Sequence, residues 1–210
     1  MRRIFKKNEP KELADFRSLP SSDDWAPSYD GLPGWRKKAI LTSLMEEQRG
    51  LCCYCERRLS ATNSHIEHFR PQSKFPELAL DYGNMLCSCM PEIHEGGKVY
   101  CGMAKGDWFD DDLMVSPFDD GCEVRFAYGA DGSVYSANPC DQAVDKTVEK
   151  LNLDGAKLRA WRKEVLDVFL SVELSDEDRS LLVEDYIRRD SVEHPSEFIS
   201  AVKFVMRDWI

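Results

Sequence analysis

Over residues 35–49 the apolar side chains Ala39, Ile40, Leu44 and Met45 recur at helical spacing, and Gly50 follows as a C-terminal stop. One amphipathic helix is predicted there. Before it, residues 1–34 hold Pro, Ser, Asp and Gly in loop-forming clusters such as "LPSSDDWAPSYDGLPG", which reads as an extended arm with a few aromatic anchors. The pattern then changes to period two: "HIEHFRP" at 65–71 alternates as a strand does and is halted by Pro71. Residues 72–84 read as loop with a short helical turn, and the Gly96-Gly97 pair marks an inserted loop or hairpin tip between Cys89 and Cys101. "CEVRFAY" and "SVYSA" alternate on either side of "GADG", predicting a hairpin. From Asp141 onward the period is helical again, in four stripes around Val144 and Leu151, Leu158 to Phe169, Leu181 to Ile187, and Phe198 to Val205. Ser175 ahead of "DED" caps the third helix in this reading, and Pro195 opens the fourth. The organisation is α+β: an arm over 1–34, a cysteine-bearing module over 35–140 and a helical region over 141–210, with no internal repeat.

With 210 residues, 42% of them hydrophobic and 31% charged, the chain has apolar material for a sizeable core, which excludes disorder for most of it. No apolar run approaches the ~18 residues of a membrane span, and the basic start "MRRIFKKNEPKE" leads into no apolar segment. A soluble cytoplasmic protein without a membrane partner is expected. The 28 Lys and Arg against 38 Asp and Glu give a net charge of −10, distributed as +2 over residues 1–50, 0 over 51–106, −7 over 107–140 and −5 over 141–210. A protein that grips nucleic acid by itself offers phosphates a basic stripe. This chain offers little of one, so cations for such a substrate would come from a bound metal or a partner protein.

Six of the eight cysteines (Cys52, Cys53, Cys55, Cys87, Cys89 and Cys101) fall between positions 52 and 101. In a reducing compartment a chain of this length needs no disulfide staples, and metal binding is the better reading. Cys52 and Cys55 form a C-x2-C pair, whose tight turn aims two thiolates at one ion. Cys89 and Cys101 complete a four-thiolate zinc site if the residues between them loop out, with Cys87 competing for the third position. Cys53, Cys122 and Cys140 lack ligand spacing and read as packing residues.

Between the two cysteine pairs lie His65, Glu67, His68 and Asn84. A carboxylate and an amide oxygen can hold a hard cation such as Mg2+ or Mn2+, and a neutral imidazole can take a proton from an attacking water. That set suits phosphodiester hydrolysis, in which electrostatic stabilisation dominates. His65 shares a strand face with Glu67 and could orient the site or touch substrate.

The segments "CCYC", "IEHFRP", "NMLCSC" and "CGMAKG" together resemble the zinc-containing branch of the HNH, or ββα-metal, endonucleases. The longer phrases "EEQRGLCCYCERRL", "HIEHFRPQSKFPELALDYGNMLCSC" and "VSPFDDGCEVRF" resemble more narrowly the PtuB family, the HNH components of Septu-type and retron-associated anti-phage systems, as far as "LNLD" at 151–154. The resemblance implies a zinc-stabilised ββα-metal module in a defence nuclease that works with a PtuA-like ATPase on nucleic acid. It implies His68 as the residue that activates water, Glu67 as the acidic ligand of a catalytic Mg2+ or Mn2+, Asn84 as the central Asn, and Cys52, Cys55, Cys89 and Cys101 as ligands of a structural Zn2+. Two positions depart from the pattern: Glu67 stands where Asp is common, and Gly102 where Asn often follows the last cysteine. No third motif residue follows at its usual place, and His94 in the inserted loop is the candidate for it.

Arg70 and Lys105 could each meet a phosphate, Tyr54, Trp108 and Phe109 read as packing around the zinc knuckle, and Asp110, Asp111 and Asp112 as a solvated acidic turn or a surface for a basic partner. DNA is preferred over RNA as substrate, although nothing in "HIEH" separates the two. The reading from another class is a zinc-stabilised partner-binding module without catalysis.

Overall fold

The computed structural model describes residues 1–90, 98–171, 173–192 and 195–210, without the side chains of 191 and 192. The Gly96-Gly97 tip and His94 lie outside the described residues. The first 34 residues are not uniformly extended: α1 (Lys11–Arg17) buries Leu13 and Phe16. Its N-cap is Pro10, which offers no side-chain acceptor, so a helix of seven residues leaves no capping signature in the sequence. Met1, Ile4 and Leu32 of the same segment also enter the main core.

Helix α2 (Gly34–Glu47) buries Ile40 and Leu44, matching the predicted stripe. It stops where Gly50 adopts φ +72° and donates its N–H to Met45 O at 2.7 Å. Gln48, just past the helix, is buried and joins it to the sheet: its Nε2 donates to Cys87 O (2.7 Å) and its Oε1 accepts from Cys87 N–H (2.7 Å).

Strand β1 (Ser64–His68) pairs antiparallel with β2 (Met85–Cys89), with Ser64 opposite Cys89, Glu67 opposite Leu86 and His68 opposite Met85. The loop between them contains two short 3-10 turns, Pro76–Leu78 and Tyr82–Asn84. After β2 comes the four-residue helix α3 (Gly102–Lys105). The predicted hairpin is β3 (Phe126–Tyr128) with β4 (Val134–Ser136).

Four helices follow: α4 (Gln142–Lys150), α5 (Ala156–Leu170), α6 (Asp176–Val192) and α7 (Ile199–Val205). Ser175 caps α6 as expected, its Oγ accepting from Asp178 N–H at 3.1 Å. Pro195 does not open α7. The helix starts four residues later, after Phe198 in the left-handed region (φ 52°), because residues 195–198 are held as a strap: Tyr186 OH donates to Glu197 O (2.7 Å) and Arg58 Nη2 to Pro195 O (2.7 Å). One core gathers both strand pairs, α2 and α4, and a smaller one of Leu166, Phe169, Val183, Val202 and Met206 sits among α5, α6 and α7. Phe198 N–H donates to Glu56 O and Ser200 N–H to Glu56 Oε2, so the last helix is hydrogen-bonded to the residue after Cys55. The described residues contain no helix long and apolar enough to cross a membrane.

Candidate functional site

Cys52 and Cys55 come from the tight turn between α2 and β1, Cys89 ends β2, and Cys101 immediately precedes α3. The turn is closed by Cys52 N–H donating to Arg57 O (2.8 Å) and Glu56 N–H to Cys52 O (3.1 Å), with a bridge between Leu51 and Arg58. All four residues are buried and their sulfurs lie within 4.8 Å of one another. Cys55 and Cys89 Sγ are 3.7 Å apart, close to the ~3.8 Å edge of a tetrahedron built on zinc–sulfur bonds of about 2.3 Å. Cys89 N–H points at Cys52 Sγ from 3.4 Å. Burial opposes a thiolate at Cys52, yet hydrogen bonds from Cys101, Cys53, Cys55 and Cys89 outweigh it and hold its pKa well below the ordinary value. Burial, together with Cys52, pushes Cys101 well up. The pocket on its own thus favours the thiolate at Cys52 and opposes it at Cys101, an opposition that a bound divalent cation would relieve. This donor set could hold a metal such as zinc.

Cys87, two residues before Cys89 on β2, stays outside the cluster, and burial raises its thiol to about 12. Cys53 and Cys122 are buried and outside the four-sulfur set, Cys53 against it through its hydrogen bond to Cys52. Cys140 is no packing residue: it is exposed in the turn ahead of α4.

Glu67 lies on the same strand face as His65, and their Oε2 and Nε2 are 3.4 Å apart. Its other oxygen accepts from Lys105 Nζ (2.8 Å) and Tyr54 OH (3.1 Å). Lys105 is only 3% exposed and Glu67 6%. Burial raises the cost of the carboxylate, but the His65 hydrogen bond and the Lys105 ammonium prevail and keep the Glu67 pKa below its usual value. Gly102, on α3, faces this pair: a Cβ there would press into Glu67 Oε2 and lie 2.8 Å from His65 Nε2. His65 Nδ1 is buried without a hydrogen-bond partner. A carboxylate oxygen and an imidazole nitrogen beside a glycine, with room that a side chain would fill, fit a divalent cation.

His68, next along β1, points to the other face. Its Nε2 is 3.0 Å from Ala79 O. A carbonyl only accepts, so Nε2 carries the hydrogen and Nδ1 is left with the lone pair. Burial lowers the His68 pKa, partly offset by the Ala79 hydrogen bond and the negative charge of Glu67, so the ring is neutral at pH 7. Tyr29 packs against it edge-on with ring centres 4.6 Å apart. Asn84 is engaged with the backbone: Oδ1 accepts from Arg70 N–H (2.8 Å), and Nδ2 donates to Arg70 O (2.9 Å) and Leu78 O (3.3 Å). These bonds pin the loop that carries Ala79 to the end of β1. Any ion-holding role for Asn84 has to use the one lone pair left on Oδ1.

No family model matches the chain. It is 28% identical over 173 residues, 76% of this chain and 80% of the relative, to a candidate HNH endonuclease of retron Vc95 from Vibrio cholerae serotype O1 biovar El Tor. It is 37% identical over 57 residues to the Septu protein PtuB of Bacillus thuringiensis, a match that covers 26% of this chain and 22% of that protein. These relatives support the HNH endonuclease resemblance. They also support its narrower form, with the retron and Septu proteins.

Other expected contacts are placed differently. Lys105 is no surface phosphate ligand: besides Glu67, its Nζ donates to the His68 carbonyl (2.9 Å) from a buried position. Arg70 pairs with Asp111 (2.5 Å) and stacks on Phe75 and Phe109. Phe109 packs edge-on against Phe69 and Phe75, at the end of β1. Asp110 caps its own turn, accepting from Asp112 and Leu113 N–H. Tyr54, read as packing, is fully buried but also donates to Glu67. The grip of Lys105 and Tyr54 on Glu67, and of Tyr29 on His68, left no spacing signal; only the oddity of a lysine in an apolar stretch beside Cys101 hinted at the first.

Proposed function

We propose that this chain is a metal-dependent HNH endonuclease that hydrolyses phosphodiester bonds of nucleic acid, DNA in preference to RNA. In this reading β1, β2 and α3 are its ββα-metal unit, within a nuclease module over residues 35–140 flanked by the 1–34 segment and the 141–210 helices. Cys52, Cys55, Cys89 and Cys101 would hold a structural Zn2+, which ties the knuckle turn to the end of β2 and the start of α3. Glu67 and His65 would hold the catalytic Mg2+ or Mn2+, which when bound supplies charge stabilisation to the phosphate and the leaving oxygen.

The observation that carries the reading is His68, neutral and tied through Nε2–H to Ala79 O. That bond fixes both the tautomer and the ring plane, and presents Nδ1 as the proton acceptor for a water attacking phosphorus. Tyr29 holds the ring from its edge, Asn84 positions the loop that supplies Ala79, and Lys105 anchors the His68 carbonyl while balancing the Glu67 charge.

The acidic chain and the PtuB relative support action in an anti-phage defence complex with a PtuA-like ATPase that adds grip on the substrate, in the cytoplasm. The test is His68→Ala. Removing a general base lowers cleavage about 10²–10⁴-fold, with zinc content and thermal melting unchanged. Undiminished cleavage by a clean preparation overturns the assignment.

A further inference from the structure

A groove of about 400 Å³ runs between α2 and β1, with Leu41, Met45 and Ile66 in its walls and Tyr29, Lys37 and Lys38 along its rim. Ile66 and His68 alternate with Glu67 on β1, so the groove opens on the strand face that carries the proposed base. Tyr29 joins the two: its ring meets the His68 imidazole edge-on at 4.6 Å and carries the Lys37 ammonium 4.5 Å from its centre. The groove thus meets the site at Tyr29, which lines the one and touches His68 of the other.

Lys37 rests on the Tyr29 ring, but neither lysine has an anionic partner among the described residues, and the neighbouring Asp30 is exposed and bonded to neither. The first turn of α2 contains no acidic residue. Arg36, by contrast, is accounted for: it donates to Glu12 O and stacks on Trp35 and Phe16. In a chain with ten surplus acidic groups, two uncompensated cations beside the proposed general base call for an anion from outside.

We propose that this groove binds the phosphodiester backbone of the substrate strand. Lys37 and Lys38 grip phosphates that flank the one facing His68, and Tyr29 stands between as a platform for the intervening sugar or base. Because the apolar floor and the lysines read backbone rather than base edges, the grip is independent of sequence. The proposal rests on the nuclease reading for the nature of the occupant, so binding and cleavage are measured separately.

The experiment uses the full chain carrying His68→Ala, which prevents turnover, and labelled DNA and RNA oligonucleotides of the same sequence, followed by fluorescence anisotropy over a range of salt. Adding Lys37→Ala and Lys38→Ala should weaken binding at least tenfold at low salt. It should also flatten the slope of log affinity against log salt by about 1.4, two single-strand phosphate contacts at about 0.7 each. Lys146→Ala, which removes a lysine paired with Glu149 on α4, should change neither. A loss in both the DNA and the RNA arm supports a backbone grip common to the two; a loss in one arm supports the groove and names its substrate. Unchanged affinity and slope, or no salt-dependent binding by the parent to either oligonucleotide, overturns the proposal. If the lysines govern binding while His68→Ala cleaves normally, the catalytic reading fails and the groove stands. If His68→Ala abolishes cleavage and the lysine variants bind as before, only the groove fails.

Discussion

Replacing Lys105 by Met removes the cation that faces Glu67 while keeping the length and apolar stem of the side chain. The ion pair is 2.8 Å long, and the residues are 3% and 6% exposed. Breaking a buried pair from one side leaves the other charge uncompensated and costs about 3–5 kcal/mol. The Tyr54 and His65 contacts remain to Glu67, which places the loss near the lower end; the lost bond to the His68 carbonyl adds back about 1 kcal/mol. Urea unfolding without added Mg2+, zinc retained, should therefore show Lys105→Met less stable by about 3–4 kcal/mol. Adding Glu67→Gln to that variant should recover about 2 kcal/mol or more, because the orphaned charge is then gone. If Glu67 also holds a divalent cation, Mn2+ should restore stability to Lys105→Met and do nothing for the double variant. A loss below about 1 kcal/mol, or strictly additive single and double variants, would refute the claim that Lys105 neutralises a buried carboxylate.

Cleavage should depend on a deprotonated group whose pKa burial holds below the ordinary histidine value: the rate rises with pH through that value and is flat by pH 7. A pH–rate profile still climbing above pH 7 contradicts the neutral His68 described above. Cys101→Ser removes one of four clustered sulfurs, and metal analysis should find zinc falling from about one per chain to well below it; full zinc retention would assign the fourth ligand elsewhere. In Gly132→Ala, a Cβ would overlap the Arg159 carbonyl and come within 2.9 Å of the Lys163 amide, at φ +79°. Both obstacles are backbone, so the variant should lose about 2–4 kcal/mol in a denaturant melt; a loss under about 0.5 kcal/mol would show that α5 gives way.

The cysteine pairs, the strand ending before Pro71, the GADG hairpin and the four C-terminal helices were all legible because each is written in local spacing. Period and turn chemistry act over a few residues, and C-x2-C reports a turn that is itself four residues long. What escaped depends on long-range contact. Tyr54 and Lys105 meet Glu67 from 13 and 38 positions away, and the bonds of the Asn84 carboxamide to the Arg70 backbone span 14 positions. Helix α1 escaped for a different reason: with Pro10 as N-cap and only Leu13 and Phe16 buried, tertiary packing makes the helix, not its own propensity. The same holds for α7, whose start is set by the Tyr186 and Arg58 contacts to residues 195–197 rather than by Pro195.

The two clusters adjoin on one short sheet, which explains how a small module can combine them: His65 lies one register position from the Ser64–Cys89 pair, and Gly102, facing Glu67 and His65, directly follows Cys101. Cys89 lies opposite Ser64 at one end of the β1 and β2 ladder, and His68 opposite Met85 at the other. Cys101 and Lys105 bracket α3, so a metal held at the cysteines fixes the helix that carries Lys105 to Glu67. In this account zinc shapes the site without entering the chemistry.

Nuclease activity is tested directly by a cleavage assay of the zinc-loaded chain on plasmid DNA and total RNA, alone and with a PtuA-like ATPase, in Mg2+, Mn2+ or no added divalent ion. Strand scission should require the added ion, with the ATPase raising the rate by supplying grip. No scission of either polymer under any of these conditions, with zinc bound and the fold intact, would contradict the nuclease reading and leave a zinc-stabilised binding module.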